Sequence, residues 1–186
     1  LLKKLNEYSN NLTPSDNFIL YFAGHGIQKS NEGFWLTIES EKTSDIDWVS
    51  NNTIVRKLRE MKANNILVMA DTCFAGTLTR GIRSKNKNNQ DTPVKKLNET
   101  KTRIAITSGN LEPVLDGGSG ENSIFASAIS TTLEEYTVPF TALDLFSKIQ
   151  KKVIRESDSF GNKQNPVFMD IPKSGHENLD FVFNPN

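Results

Sequence analysis

The stretch Ile66-Leu67-Val68-Met69-Ala70-Asp71-Thr72-Cys73 constrains the fold more than any other part of the chain. Five apolar residues in succession, with no polar position between them, suit a strand buried on both faces. Strands of that kind belong to parallel sheets covered by helices on either side. The run breaks off at Asp71-Thr72-Cys73, which puts the only cysteine of the chain just past the C-terminal end of a central strand. In open α/β sheets that edge is where reactive and ligand-binding groups collect. A second stretch has the same shape: Asn17-Phe18-Ile19-Leu20-Tyr21-Phe22-Ala23, then Gly24-His25-Gly26. Two buried strands thus deliver one thiol and one imidazole at the same end of a sheet. A thiol needs a base or a cationic neighbour to become a thiolate near neutral pH, and histidine is the usual one. Cys73 and His25 read as a nucleophile–base dyad.

Taken singly, each residue has a plainer explanation. A lone cysteine is often a small buried hydrophobe, and a lone histidine is often a hydrogen-bonded core or surface group. Together they weigh differently. His25 is flanked by two glycines, which leave it uncrowded and let the backbone turn sharply. Cys73 sits in a turn of small and polar residues, outside the apolar run. The order is histidine first, then cysteine, 48 residues apart.

The blocks Tyr21-Phe22-Ala23-Gly24-His25-Gly26 and Asp71-Thr72-Cys73-Phe74-Ala75-Gly76 resemble the two signature blocks of the caspase-like cysteine peptidases. They are nearer to metacaspases and their bacterial relatives than to animal caspases, whose cysteine follows Gln-Ala. Caspases carry the histidine about 50 residues upstream of the cysteine, an agreement that belongs to the resemblance. Ile104-Ala105-Ile106-Thr107-Ser108, Ser123-Ile124-Phe125-Ala126 and Gln164-Asn165-Pro166 extend the likeness, which runs from about Leu5 to about Phe183. The fold it implies is an α/β caspase-like (caspase–hemoglobinase) sandwich, a mostly parallel central sheet flanked by helices. Such folds place a strand, a helix and another strand before the point where this sequence starts. The expectation is one caspase-like domain over residues 1–186 with its N-terminal elements missing.

Composition narrows the partners. At 186 residues the chain is the size of one domain with a single substantial core. Equal numbers of basic and acidic residues, 22 of each, leave no global field to attract nucleic acid or an anionic membrane. One cysteine excludes an internal disulfide framework and a cysteine-rich zinc site. No run reaches membrane-spanning length and no signal peptide is visible, so a cytoplasmic location is expected.

Along the chain, Leu1, Leu2, Leu5 and Tyr8 have helical spacing, stopped by Thr13-Pro14-Ser15-Asp16. Phe34–Ile38 reads as a short strand at or near an edge. The stretch from Glu39 to Asp47 lacks the Asp-x-Asp-x-Asp-Gly spacing of a calcium loop and reads as solvated. Ser50-Asn51-Asn52 can cap a helix through Ile54, Val55, Leu58 and Met61. From about Thr77 to Lys101 the chain turns basic and polar, with Arg80, Arg83, Lys85, Lys87, Lys95, Lys96 and Lys101, and reads as a mobile loop. No aromatics are interleaved there to stack bases. Arg103–Ser108 is a further buried strand. Gly117-Gly118-Ser119-Gly120 is no phosphate loop, since no Gly-Lys-Thr/Ser follows. Ile124–Tyr136 and Ala142–Ile154 have helical periodicity, Asn165–Met169 reads as a last strand, and His176 reads as a surface residue and the fallback base.

The dyad and the resemblance together imply a cysteine endopeptidase. Cys73 as thiolate attacks a peptide carbonyl and His25 protonates the leaving amine. By resemblance, the backbone N–H groups of Gly26 and Cys73 form the oxyanion hole. Asp71 lies two residues before the nucleophile, on the same side of an extended chain. In metacaspases the acid at this position lines the pocket for the residue before the cut, which implies cleavage after Arg or Lys. Its plainer reading is a helix-capping or loop-anchoring acid. Asp116 and Glu112 are further pocket candidates, against a reading as exposed loop acids. Arg80, Arg83, Lys85 and Lys87 are candidate self-cleavage sites, against a reading as a solvated basic loop. A polypeptide substrate and an activating partner are expected, with no resident metal or cofactor; calcium activation is known in some metacaspases, but no clear site supports it here. The competing function is a catalytically weak caspase-like module acting in assembly, and a third is hydrolysis or ligation of another substrate on the same dyad.

Overall fold

The computed structural model describes residues 1–41, 43–73, 100–109, 122–177 and 179–185. Its centre is a four-stranded sheet in the order β1 (Asn17–Ala23), β5 (Asn65–Asp71), β6 (Thr102–Thr107), β8 (Val167–Asp170). The β1–β5 and β5–β6 pairings are parallel, and β8 runs antiparallel on the far edge. β5 and β6 are the inner strands, buried along nearly their whole length, as their unbroken apolar character requires.

Alternation along β5 divides the core in two. Ile66, Val68 and Ala70 face one way and join Leu5 of α1 (Leu2–Asn11) and Ile54, Val55 and Leu58 of α2 (Asn51–Glu60). Leu67 and Met69 face the other way, with Ile104 and Ile106 of β6. They meet Ile124, Phe125 and Ala128 of α3 (Ile124–Leu133) and Leu145, Ile149 and Val153 of α4 (Ala142–Ser159). The result is a helix–sheet–helix sandwich, and each such aliphatic side chain contributes about 1.5–3 kcal/mol by leaving water.

Local chemistry sets the helix ends. The Ser50 hydroxyl accepts the Thr53 N–H at 3.1 Å and starts α2. Thr141 and Asp144 cap each other reciprocally at the start of α4. After α1, the Asp16 carboxylate takes the Thr13 N–H at 2.7 Å and closes the turn that the Thr-Pro-Ser-Asp signal announces.

Three expectations are corrected. Asn17–Ala23, expected as a second buried strand, is the outermost strand of the central sheet, so that Phe18, Leu20 and Phe22 pack on the core while Ile19 and Tyr21 on the other face stay exposed. The strand expected over Phe34–Ile38 at a sheet edge is β3 (Glu32–Leu36), the middle strand of a separate antiparallel sheet between β2 (Gly26–Lys29) and β4 (Trp48–Ser50). The cause is a two-residue hairpin turn at Ser30-Asn31, with φ of 50° and 68°, which folds the chain after Gly26 back on itself. β7 (Phe140–Thr141) and β9 (Val182–Phe183) form a small third pairing.

The third correction concerns His176. Its side chain is almost wholly covered, and Nδ1 accepts the Arg103 backbone N–H at 3.0 Å. Nε2 stands 3.2 Å from Asp170 Oδ1. Beside it, Glu177 exchanges two hydrogen bonds with Lys101: its carboxylate takes the Lys101 N–H and its own N–H donates to the Lys101 carbonyl. The tail thus clamps the first residues of β6, at the end of the sheet opposite Cys73, so His176 is no fallback base. Arg103 itself is fully buried, and its guanidinium donates to the carbonyls of Met61, Ala63, Asn64 and Thr102.

These two residues generate a pair of stability predictions. Arg103→Ala leaves buried carbonyls without donors and is expected to cost roughly 3 kcal/mol or more in urea unfolding. Arg103→Lys is expected to recover little of it, because a lysine lacks the forked donors. Burial, helped by Arg103, holds the His176 imidazole below its ordinary value of 6.5, while Asp170, Asp180 and Glu177 oppose it. A pKa lowered by folding adds stability above about 6.5 that is lost as pH falls through the folded-state value. The thermal midpoint is therefore expected to drop on acidification, and His176→Gln to flatten that dependence.

Candidate active site

Asn17 stands opposite Asn65 and Ala23 opposite Asp71, so every pair across β1 and β5 is 48 residues apart. His25 and Cys73 are separated by the same 48 and each lies two residues beyond its strand. The spacing read in the sequence is therefore the register of the parallel pairing, carried two residues past the sheet. At the point of exit the Gly24 N–H donates to the Asp71 carbonyl at 3.2 Å, holding the two chain ends side by side. On the other flank, the Ser108 N–H donates to the Ala70 carbonyl at 2.9 Å. His25 is exposed and Cys73 half-buried, a pairing that leaves the thiol reachable.

The His25 carbonyl accepts the Leu36 N–H at 2.9 Å, which ties the histidine to the β2–β3 hairpin. The glycines beside it work differently from the sequence expectation. Neither Gly24 nor Gly26 has a positive φ, so neither is needed for a left-handed turn. Gly26 is required by closeness: a Cβ there would lie 2.1 Å from the Cys73 carbonyl oxygen and 2.6 Å from Thr72 Oγ1. The backbone at Gly26 and the backbone at Cys73 are thus in direct contact, with room for hydrogen only.

Asp71 ends β5 on the face of Leu67 and Met69, and is 7% exposed. The Ser123 hydroxyl donates a short hydrogen bond to Asp71 Oδ2. Ser123 is also the N-cap of α3, its oxygen accepting the Ala126 N–H at 2.9 Å. Tyr21 projects from the same face of β1, one pleat back. Partial burial first, and then the Asp71 carboxylate, push its phenol up to about 12.

Of the residues singled out from the sequence, the structure gathers His25, Gly26, Asp71 and Cys73 at one sheet edge. Asp116, Glu112, Arg80, Arg83, Lys85 and Lys87 lie outside the described residues, as does most of the basic segment 77–101. Ser123 was legible only as a member of a resembling block. The available signal was a serine directly before an apolar helical run, a capping position. Its bond to Asp71 spans 52 residues of sequence and has no local signature.

A mostly parallel sheet between two helical layers, with the candidate residues at the C-terminal edge, has the framework of an α/β enzyme. Within that class the chain belongs to the caspase family: the caspase-domain family model matches residues 1–173. It is a caspase-like cysteine peptidase with a polypeptide substrate. Comparison with curated proteins gives no match. Among the described residues, no helix is long and apolar enough to cross a membrane.

The contact at Gly26 yields a direct test. Gly26→Ala forces the two backbones apart, and misplacement of about 1 Å costs a catalytic geometry about a hundredfold. The kcat/KM on a peptide substrate is expected to fall by that order. Cys73 alkylation by iodoacetamide in the same variant reports whether the thiol's setting has moved.

Proposed function

We propose that this caspase-family protein is an endopeptidase that cleaves after Arg and Lys through a Cys73–His25 dyad. The observation that carries the dyad is the 48-residue register of β1 and β5, which brings the two exits alongside each other. Cys73 as thiolate attacks the scissile carbonyl carbon, forming a C–S bond as the carbonyl oxygen takes up negative charge. The backbone N–H groups of Gly26 and Cys73, whose chains touch, stabilise that oxyanion. His25 gives its proton to the leaving amine as the C–N bond breaks, leaving an acyl thioester on Cys73. Water deprotonated by His25 then hydrolyses the thioester and restores the thiol.

Asp71 supports the basic preference. A carboxylate two residues before the nucleophile and 7% exposed suits a cationic substrate side chain, which a guanidinium meets with a forked pair of donors. The plainer reading, a loop-anchoring acid, accounts for the bond to Ser123 but gives no reason for an acid so close to Cys73. If basic residues are preferred, Arg80, Arg83, Lys85 and Lys87 become self-cleavage sites, and a cut there is the proposed activation step. An activating partner or calcium could serve the same end.

The test is a cleavage profile on a mixed peptide library, with and without calcium. Cuts after Arg or Lys are expected from the unaltered chain and none from Cys73→Ala or His25→Ala. Asp71→Ala is expected to lose chiefly the basic-residue cuts; equal loss of all cutting would assign it a folding role. Mass spectrometry of the unaltered chain should show cuts within 77–101 that Cys73→Ala lacks. No cleavage under any condition would favour the assembly module.

A further inference from the structure

We propose that Ser123 is the positioning residue for Asp71, coupling the N-terminus of α3 to the pocket carboxylate and so setting the affinity for a basic substrate side chain. The inference rests on the basic-residue pocket proposed above. A serine hydroxyl has one proton and two acceptor sites. Here the oxygen accepts the Ala126 N–H at 2.9 Å, and the proton goes to Asp71 Oδ2. The result is a chain of two bonds from helix N–H to hydroxyl to carboxylate, in which each bond polarises the next.

Two consequences follow for Asp71. The hydroxyl holds the carboxylate in place at the last residue of β5 through a direct hydrogen bond. The positive end of the helix dipole and the donated proton both favour the ionised form. That support matters because Asp71 is 7% exposed and burial alone would favour the neutral acid. Ser123 need not touch substrate to govern its binding.

A helix cap alone would be served equally well by aspartate at this position. Aspartate cannot donate, however, and would set a second carboxylate against Asp71. Threonine keeps both roles. Ser123→Asp, Ser123→Thr and Asp71→Asn in the full chain therefore separate capping from positioning. The readouts are thermal unfolding, benzamidine binding, and kinetics on an arginyl amide substrate across pH.

Ser123→Asp is expected to stay folded with α3 still capped but with a lower unfolding midpoint, since the new carboxylate repels Asp71, and to raise the benzamidine Kd and the KM about tenfold or more, with kcat changed less. The acid limb of its kcat/KM profile should move to higher pH. Ser123→Thr should restore binding, KM and pH profile. Unaltered binding and KM in Ser123→Asp would overturn the inference, and if Asp71→Asn loses them the pocket reading survives. Arginyl cleavage and benzamidine binding retained by Asp71→Asn would overturn both. So would an unaltered protein that neither binds benzamidine nor cuts after Arg.

Discussion

Parallel pairing of β1 with β5 is the constraint on which the rest of the structure depends. In a parallel pair both strands point the same way, so whatever follows each strand emerges at one edge. A constant offset of 48 residues from Asn17–Asn65 to Ala23–Asp71 places the exits that lead to His25 and Cys73 at the same edge. A slip of one residue would move every side chain of a strand to its other face and break that correspondence. The two-layered core resists such a slip, because Ile66, Val68 and Ala70 must meet α1 and α2 while Leu67 and Met69 meet α3 and α4.

The two ends of the sheet are treated differently. At the N-terminal end of β6, polar groups are closed off: the Arg103 guanidinium donates to four carbonyls, and His176 and Glu177 pin the tail over Lys101 and Arg103. At the C-terminal end, the strands stop short and leave His25 exposed and Cys73 half-buried. The β2–β3 hairpin adds a restraint there, through the Leu36 N–H on the His25 carbonyl.

Asp71 links this framework to charge. Its main chain belongs to β5 and holds the exit of β1 through Gly24, while its side chain belongs to the opening turn of α3 through Ser123. One residue therefore joins the strand that leads to Cys73, the strand that leads to His25 and a helix N-terminus. A buried carboxylate is costly without a hydrogen-bond donor, and the Ser123 hydroxyl at the start of α3 supplies one.

The amino-acid sequence by itself determined the strands β1, β5 and β6, the helices α1 to α4, and the class of fold. Each of these rests on periodicity, capping or an unbroken apolar run, which are properties of neighbouring residues. It also carried the candidate dyad, since the 48-residue spacing is the strand register written along the chain. Only the tertiary structure decided that Phe34 lies in the middle of a separate sheet, because a two-residue turn with positive φ at Ser30 and Asn31 leaves only a weak trace in residue type. The same holds for His176, polar in its sequence surroundings yet buried, because its partners Arg103 and Asp170 come from distant strands. Gly26 was legible as a glycine, but its reason, the Cys73 carbonyl 2.1 Å from where a Cβ would sit, exists only once two strands are side by side. Ser123 meets Asp71 for that same physical reason: hydrogen bonds between distant residues depend on the packing of whole elements, which no local pattern encodes.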